Sequence, residues 1–155
     1  MTNSKDHASV KIHPPILLFI HVGAVFILNR LFPILITIPR IFDWMGYGLV
    51  LVGLGFAFRA MGRFRQAHTT LDPHGSVSAI VTEGPYRISR NPIYLGLLCT
   101  LIGLPLVLGT FWGAVLSPVF VMTMNQLVIK HEEAYLEEKF EDVYSSYKSR
   151  VRRWL

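Results

Sequence analysis

An all-α fold built into a membrane is predicted from three observations. Over half of the chain is hydrophobic (52%) and only 16% is charged, a balance too apolar for an ordinary soluble domain. The apolar residues fall into four runs near the length that crosses a bilayer. Polar and charged residues gather in a central loop and a C-terminal tail. The expected architecture is about four transmembrane helices followed by an amphipathic cytoplasmic helix. It forms a single domain over 1–155, with a flexible N-terminus (1–13), a cytoplasmic loop (59–91) and a cytoplasmic tail (130–155). The formal net charge of +5 fits inner-side Lys and Arg of a membrane protein. No basic stripe interleaved with exposed aromatics suggests a nucleic-acid partner. The single cysteine, Cys99, allows no disulfide within the chain and reads as a small buried hydrophobe.

Residues 1–13 are polar and precede the first apolar run, 15–38. The run is long and no small-residue cleavage site follows it, so an uncleaved anchor helix is expected. Asn29, Arg30 and Pro33 interrupt its second half. It still suffices as a span if Arg30 snorkels to the far interface, which is preferred over a bundle-facing ion pair. Pro39, Arg40 and Asp43 mark a turn. The second run, 42–58, carries Gly46, Gly48, Gly53 and Gly55, small residues that let helices approach closely. Gly53-Leu54-Gly55 is not read as a dinucleotide fingerprint, because no strand precedes it and no third glycine stands at the right place.

Arg59, Arg63 and Arg65 mark the membrane exit and open the long polar connection. His68 and His74 within it match no metal-ligand spacing, and no metal is expected. The connection ends in 84–96, a polar stretch that turns into a helix. Asn91 is a candidate cap, Pro92 suits the first helical position, and an apolar run follows. The third run spans 92–108 and the fourth 111–129, joined by a tight turn at Leu108-Gly109-Thr110. Pro105 and Pro118 kink these helices, which bundle neighbours tolerate. Gly96, Cys99, Thr100 and Gly103 share one helical face. Gly103 reads as a packing residue, while Gly96 stands one turn from Pro92, where a ligand could approach. In the tail, Leu136, Phe140, Val143 or Tyr144, Tyr147 and Val151 recur at three- and four-residue steps, an amphipathic pattern. Acids crowd its start and bases its end, as the helix dipole favours.

With four spans and the N-terminus inside, the inner segments collect nearly all the Lys and Arg, and the outer turns hold only Arg40. The positive-inside rule therefore puts both termini in the cytoplasm. The loop and the tail then share one face and can build one site. Backbone amides at the helix start after Asn91, with Arg87 and Arg90, favour a carboxylate or phosphate. Tyr86 and Tyr94 offer aromatic faces, and Gly84 and Gly96 allow close approach to backbone. Glu132-Glu133 stand where the fourth span leaves the membrane. From the residues alone they fit a solvated helix start and an amine-binding site about equally. S-adenosylmethionine, with its carboxylate, ammonium, planar base and sulfonium, would use all of these groups, although the residues do not single it out.

The stretch Thr82-Glu83-Gly84-Pro85-Tyr86-Arg87-Ile88-Ser89-Arg90-Asn91-Pro92-Ile93-Tyr94-Leu95-Gly96, then a helical hairpin, Glu132-Glu133, and Phe140, Tyr144, Tyr147 and Val151-Arg152-Arg153-Trp154 strongly resemble the isoprenylcysteine carboxyl methyltransferase and phospholipid methyltransferase superfamily. The likeness covers most of the chain and is closest to compact bacterial members. It implies an integral membrane enzyme using S-adenosylmethionine on a lipid-like or apolar acceptor, in the bacterial inner membrane. By resemblance, Arg90, Asn91, Pro92, Tyr94 and Gly96 line the cofactor pocket, with Ile80, Val81, Gly84 and Tyr86. Glu132 and Glu133 hold its amino group. Glu132, Arg87 and Arg150 are the residues expected nearest the transfer, an arginine orienting the acceptor. Two departures stand out. Prenylcysteine enzymes usually have histidine at the position of Asn91, which weakens transfer of that substrate. Many members have glycine at the position of Glu141. A nicotinamide-dependent reductase of the sterol-reductase type and a non-catalytic membrane adaptor are the alternatives, and the oligomeric state is open.

Overall fold

The computed structural model describes residue 10 and residues 12–34, 39–67 and 77–155. Most of the N-terminal segment, His68 and His74 lie outside the described residues. Among those described there are helices and no strands. Helix α1 is Pro14–Leu31, α2 is Ile41–Gln66, and a 3-10 turn occupies Gly84–Arg87. Helix α3 is Pro92–Val107 and α4 is Trp112–Met124. A π-helical turn, Asn125–Ile129, joins α4 without a break to α5, Lys130–Arg150.

Three of these helices are long and apolar enough to cross a membrane: Pro14–Leu31, Ile41–Gln66 and the continuous Trp112–Arg150. Helix α3 is apolar but has 16 residues, about 24 Å at the usual rise. The last helical run covers 39 residues, more than the roughly 20 that cross a hydrocarbon layer of about 30 Å, and it is not straight throughout. Only its apolar part, 112–129, can lie in lipid, and the charged residues from Lys130 onward lie beyond it. Phe19, Leu51 and Trp44 are each at least 70% exposed, an outward apolar surface that belongs against lipid rather than water. Trp112 Nε1 donates to the Phe32 carbonyl at 3.0 Å, and Phe42 meets Phe111 edge-on. Aromatics thus gather at one end of the bundle, as at a membrane interface.

The core lies between α1, α3 and α4, where Leu17, Val25, Leu101, Phe120 and Met124 are buried. His21 belongs to this packing, its Nδ1 2.8 Å from the Leu17 carbonyl and its ring edge-on to Phe120. Val10, at the inner edge of the segment expected to be flexible, is also buried here.

Helices α2 and α3 meet backbone to backbone. A Cβ on Gly53 would stand 2.6 Å from Cys99 Cβ and 2.9 Å from the Gly96 carbonyl. A Cβ on Gly103 would stand 2.7 Å from the Gly46 carbonyl. The seven-residue spacing of Gly46 and Gly53 matches that of Gly96 and Gly103, so one stripe meets the other. Gly48 and Gly55 have nothing near their missing Cβ and take no part.

Three sequence expectations change in shape. The helix of the first span ends at Leu31, short of Pro33, and the end of the expected run, 35–38, lies outside the described residues. Helix α2 continues through Arg59, Arg63 and Arg65 to Gln66, two turns past the expected exit. The tail is not one regular helix. Glu141 has φ 43 and ψ −118, backbone that favours glycine, and an ion pair joins Lys148 to Glu137 across the break. Eleven residues along a straight helix would separate those ends by about 16 Å, so the chain bends back at Glu141.

Gly53→Leu is expected to abolish monodisperse folded protein in detergent, since helix backbone blocks the new side chain, whereas Gly55→Ala stays within about 1 kcal/mol of wild type. Glu141→Gly relieves the positive φ, and its expected effect is a rise of roughly 2–5 °C in the thermal midpoint.

Candidate functional site

A cavity opens at the end of the bundle opposite the aromatic cluster. It lies between the last turns of α2, the segment 77–81 that leads to the 3-10 turn, the start of α3 and the face of α5. The extension of α2 carries Phe64 to its wall, edge-on to Tyr86 at 5.5 Å. Gly84 opens the 3-10 turn at φ 61, a conformation that suits glycine. A Cβ there would also stand 2.9 Å from Arg63 Nε. Buried Tyr86 follows, its carbonyl accepting from the Tyr147 hydroxyl at 2.7 Å. That bond ties the second half of α5 to the turn.

Asn91 does not cap α3 with its side chain. The Asn91 backbone N–H instead donates to Ser89 Oγ at 3.1 Å, and its side-chain amide donates to the Arg153 carbonyl at 3.0 Å. Pro92, at the first helical position, is fully buried.

The paired acids have separate surroundings. Glu133 is 6% exposed and both its oxygens are taken. Arg153 donates from Nε at 3.0 Å and from Nη2 at 2.5 Å. Arg90 Nη2 stands 3.2 Å from Glu133 Oε1. A buried carboxylate needs such partners, because an unpaired one costs several kcal/mol on the order of the desolvation penalty. Glu132 instead accepts one hydrogen bond, from the Tyr94 hydroxyl at 2.5 Å, and lines the cavity. The Arg90 side chain is 9% exposed. Its Nη1 donates to the Tyr144 hydroxyl at 3.4 Å, and its Nε has no partner. Glu132 and Arg90 thus both line the cavity, next to aromatic faces, and the buried Nε of Arg90 is unpaired within the chain.

Burial pushes the Glu132 carboxyl up to about 7, helped by the charge of Glu133 and opposed by the hydrogen bond from Tyr94. Burial also pushes Tyr144 up to about 12, with Glu133 adding to the rise, and lifts Tyr86 and Tyr147 well above the usual tyrosine range. These hydroxyls stay protonated at neutral pH; that of Tyr147 donates to the Tyr86 carbonyl, and that of Tyr144 accepts from Arg90. The hydrogen bond to Glu133 raises Arg153 further.

Of the residues expected at the site, Ile80, Val81, Tyr86, Arg90, Asn91, Tyr94, Glu132 and Glu133 converge on this cavity. Gly84, Pro92, Gly96, Arg87 and Arg150 do not line it. Gly96 is spent on helix packing, where a Cβ would meet the Gly53 carbonyl at 2.5 Å. Arg87 is exposed at the end of the 3-10 turn. Arg150 is exposed and donates from Nε to the Ser146 carbonyl at 3.1 Å. The wall also includes Phe64, Ile93, Tyr135, Leu136, Tyr144 and Tyr147, none of which the sequence assigned to it. Tyr144 and Tyr147 carried a signal in the apolar period of the tail. Ile93 and Phe64 carried none beyond helix phase.

These features define a class: a helical membrane protein with a cavity at one end lined by acidic, basic and aromatic side chains. Residues 41–143 match the phospholipid methyltransferase family, and the chain belongs to it. It is similar to an uncharacterized protein of Haemophilus influenzae, 46% identical over 63 residues, 41% of this chain and all of that one. It is also similar to a protein-S-isoprenylcysteine O-methyltransferase of Schizosaccharomyces pombe, 29% identical over 85 residues. That alignment covers 55% of this chain and 36% of the yeast protein. No solved structure matches. Family membership makes the chain a membrane methyltransferase and favours neither the reductase nor the adaptor.

The raised Glu132 carboxyl has a consequence for stability. The unfolded chain loses this proton near its ordinary value of 4.5 and the folded chain only near 7. Between those values the folded state holds more protons, so this group lowers stability as pH rises, and the cost is complete above about 7. Glu132→Gln is expected to melt near wild type at pH 4 and clearly above it at pH 8. Equal offsets at both pH values would contradict the assignment.

Proposed function

We propose that the chain is an integral membrane methyltransferase that binds S-adenosylmethionine in this cavity and methylates an apolar, lipid-like acceptor. The observation that carries the reading is an acid and a base lining one cavity, the Glu132 carboxylate and the Arg90 guanidinium, whose Nε is unpaired within the chain. An α-amino acid head group requires one acceptor and one donor of this kind. Aromatic Tyr86 and Phe64 suit the face of a purine. When bound, S-adenosylmethionine supplies an electrophilic methyl on a sulfonium.

In this reading Glu132 accepts from the ammonium and Arg90 donates to the carboxylate. Tyr94 orients Glu132, and Glu133 serves the site through the arginines it fixes. Ile80, Val81, Ile93 and Leu136 give the cavity an apolar wall that suits an acceptor arriving from the bilayer. The protein contributes positioning and exclusion of water. Arg87 and Arg150 take no part in this reading and act as inner-face charges.

The cavity end of the bundle carries Arg59, Arg63, Arg65, Arg87, Arg90 and Lys130, against Arg30 and Arg40 at the other. This asymmetry supports a cytoplasmic cavity with both termini inside. Helix α3 is then a short fourth crossing, and the membrane is the bacterial inner membrane.

Calorimetry with S-adenosylmethionine is expected to give saturable binding to the wild type, weakened about tenfold or more in Glu132→Gln at pH 8, the loss of one charged hydrogen bond. Lipid extract incubated with enzyme and methyl-labelled cofactor is expected to gain label. Absence of both binding and label would overturn the reading.

A further inference from the structure

Helix α5 ends at Arg150, with Val151 in extended backbone. The five residues that follow are fastened at several points. The Arg90 backbone N–H donates to the Arg152 carbonyl at 3.0 Å. The Ser89 hydroxyl donates to the Arg153 carbonyl at 3.2 Å, and the Asn91 side chain donates to the same carbonyl. The Trp154 indole donates to Asn125 Oδ1 at 3.1 Å, in the π turn. The tail therefore bridges the start of α3 and the junction of α4 with α5.

Along this tail, Arg153 meets Glu133 side-on, with Nε and Nη2 on the two oxygens. Arg90 reaches the same carboxylate through Nη2 alone, leaving its buried Nε unpaired. Two parallel N–H bonds are the strong geometry for arginine and carboxylate. A buried carboxylate stripped of one partner draws in whatever cation remains. With Arg153 gone, Arg90 would take over the side-on fork and spend its Nε on Glu133.

We propose that Arg153 is a positioning residue for the ligand cavity: by occupying Glu133 it keeps the Arg90 guanidinium from being drawn wholly onto that carboxylate and holds it at the cavity wall, where it can turn to meet the carboxylate of the cofactor. The inference rests on the reading that the cavity binds S-adenosylmethionine. Arg153 does not line the cavity and acts through Glu133 and Arg90. The negative charge of Glu133 is then the reason two arginines are needed where the ligand meets one.

The test is calorimetric titration of the full chain in detergent with S-adenosylmethionine and with its decarboxylated analogue, which keeps the sulfonium, nucleoside and amine. Wild type is expected to prefer the carboxylate-bearing compound about tenfold or more. Arg153→Gln is expected to bring the ratio near one while the analogue still binds. Adding Glu133→Gln to Arg153→Gln is expected to restore the preference, because a neutral amide no longer competes for Arg90. Should Arg153→Gln not fold, Arg153→Lys serves for the comparison, since a point charge cannot hold both oxygens in a fork. A ratio unchanged from wild type overturns the proposal. So does an equal loss for both compounds that the second substitution fails to restore, which is the signature of a purely structural role. Wild type that binds neither compound overturns the cofactor reading, and the positioning role with it.

Discussion

Glu133 sets the terms for one end of this molecule. It stands one turn past an apolar helix, buried, where an ionised carboxylate is stable only if fully paired. Its partners come from opposite sides: Arg90 from the turn before α3, and Arg153 from the chain's last residues. Satisfying one carboxylate therefore fixes three segments that are far apart in sequence. The tail adds backbone bonds to Ser89, Arg90 and Asn91, and Trp154 fastens it to Asn125. The cavity is the space left beside this cluster. Its remaining acid, Glu132, is steadied by Tyr94 alone.

Two backbone features make that arrangement possible. The glycine seam lets α2 and α3 touch through their main chains, which brings Phe64 and Ile93 to the same cavity. Larger residues along the seam would push the helices apart and open the wall. The π turn at Asn125–Ile129 adds a residue to one turn just before the acids. An added residue rotates all that follows by about 100° relative to a regular helix, and such turns recur at functional sites. Here it sets which face of α5 the two neighbouring acids present. The bend at Glu141 does a similar service further on, returning Tyr144 and Tyr147 to Arg90 and Tyr86.

The division of labour between adjacent acids follows from these contacts. Glu133 is consumed by structure. Glu132 carries the raised carboxyl and the open acceptor position. A pair that looks redundant in the sequence is thus one anchor and one acid open to the cavity. The same split appears in 84–96, where Tyr86, Arg90 and Tyr94 reach the cavity while Gly84, Pro92 and Gly96 shape the turn and the seam.

The sequence by itself determined the helical membrane class, and it picked out the loop and tail, with Arg90, Asn91, Tyr94 and Glu132-Glu133, as segments that meet; they line one cavity. Hydropathy and local spacing carry that information, because lipid demands apolar length and helix starts demand particular residues. Only the tertiary structure decided the rest. It separated Glu132 from Glu133, gave Gly96 to Gly53, left Arg87 and Arg150 off the cavity wall, and brought Phe64, Tyr144 and Tyr147 onto it, with Arg153 behind. Each of these depends on contacts between segments remote in sequence, or on a backbone irregularity that resets helix phase. Periodicity along a single helix records neither.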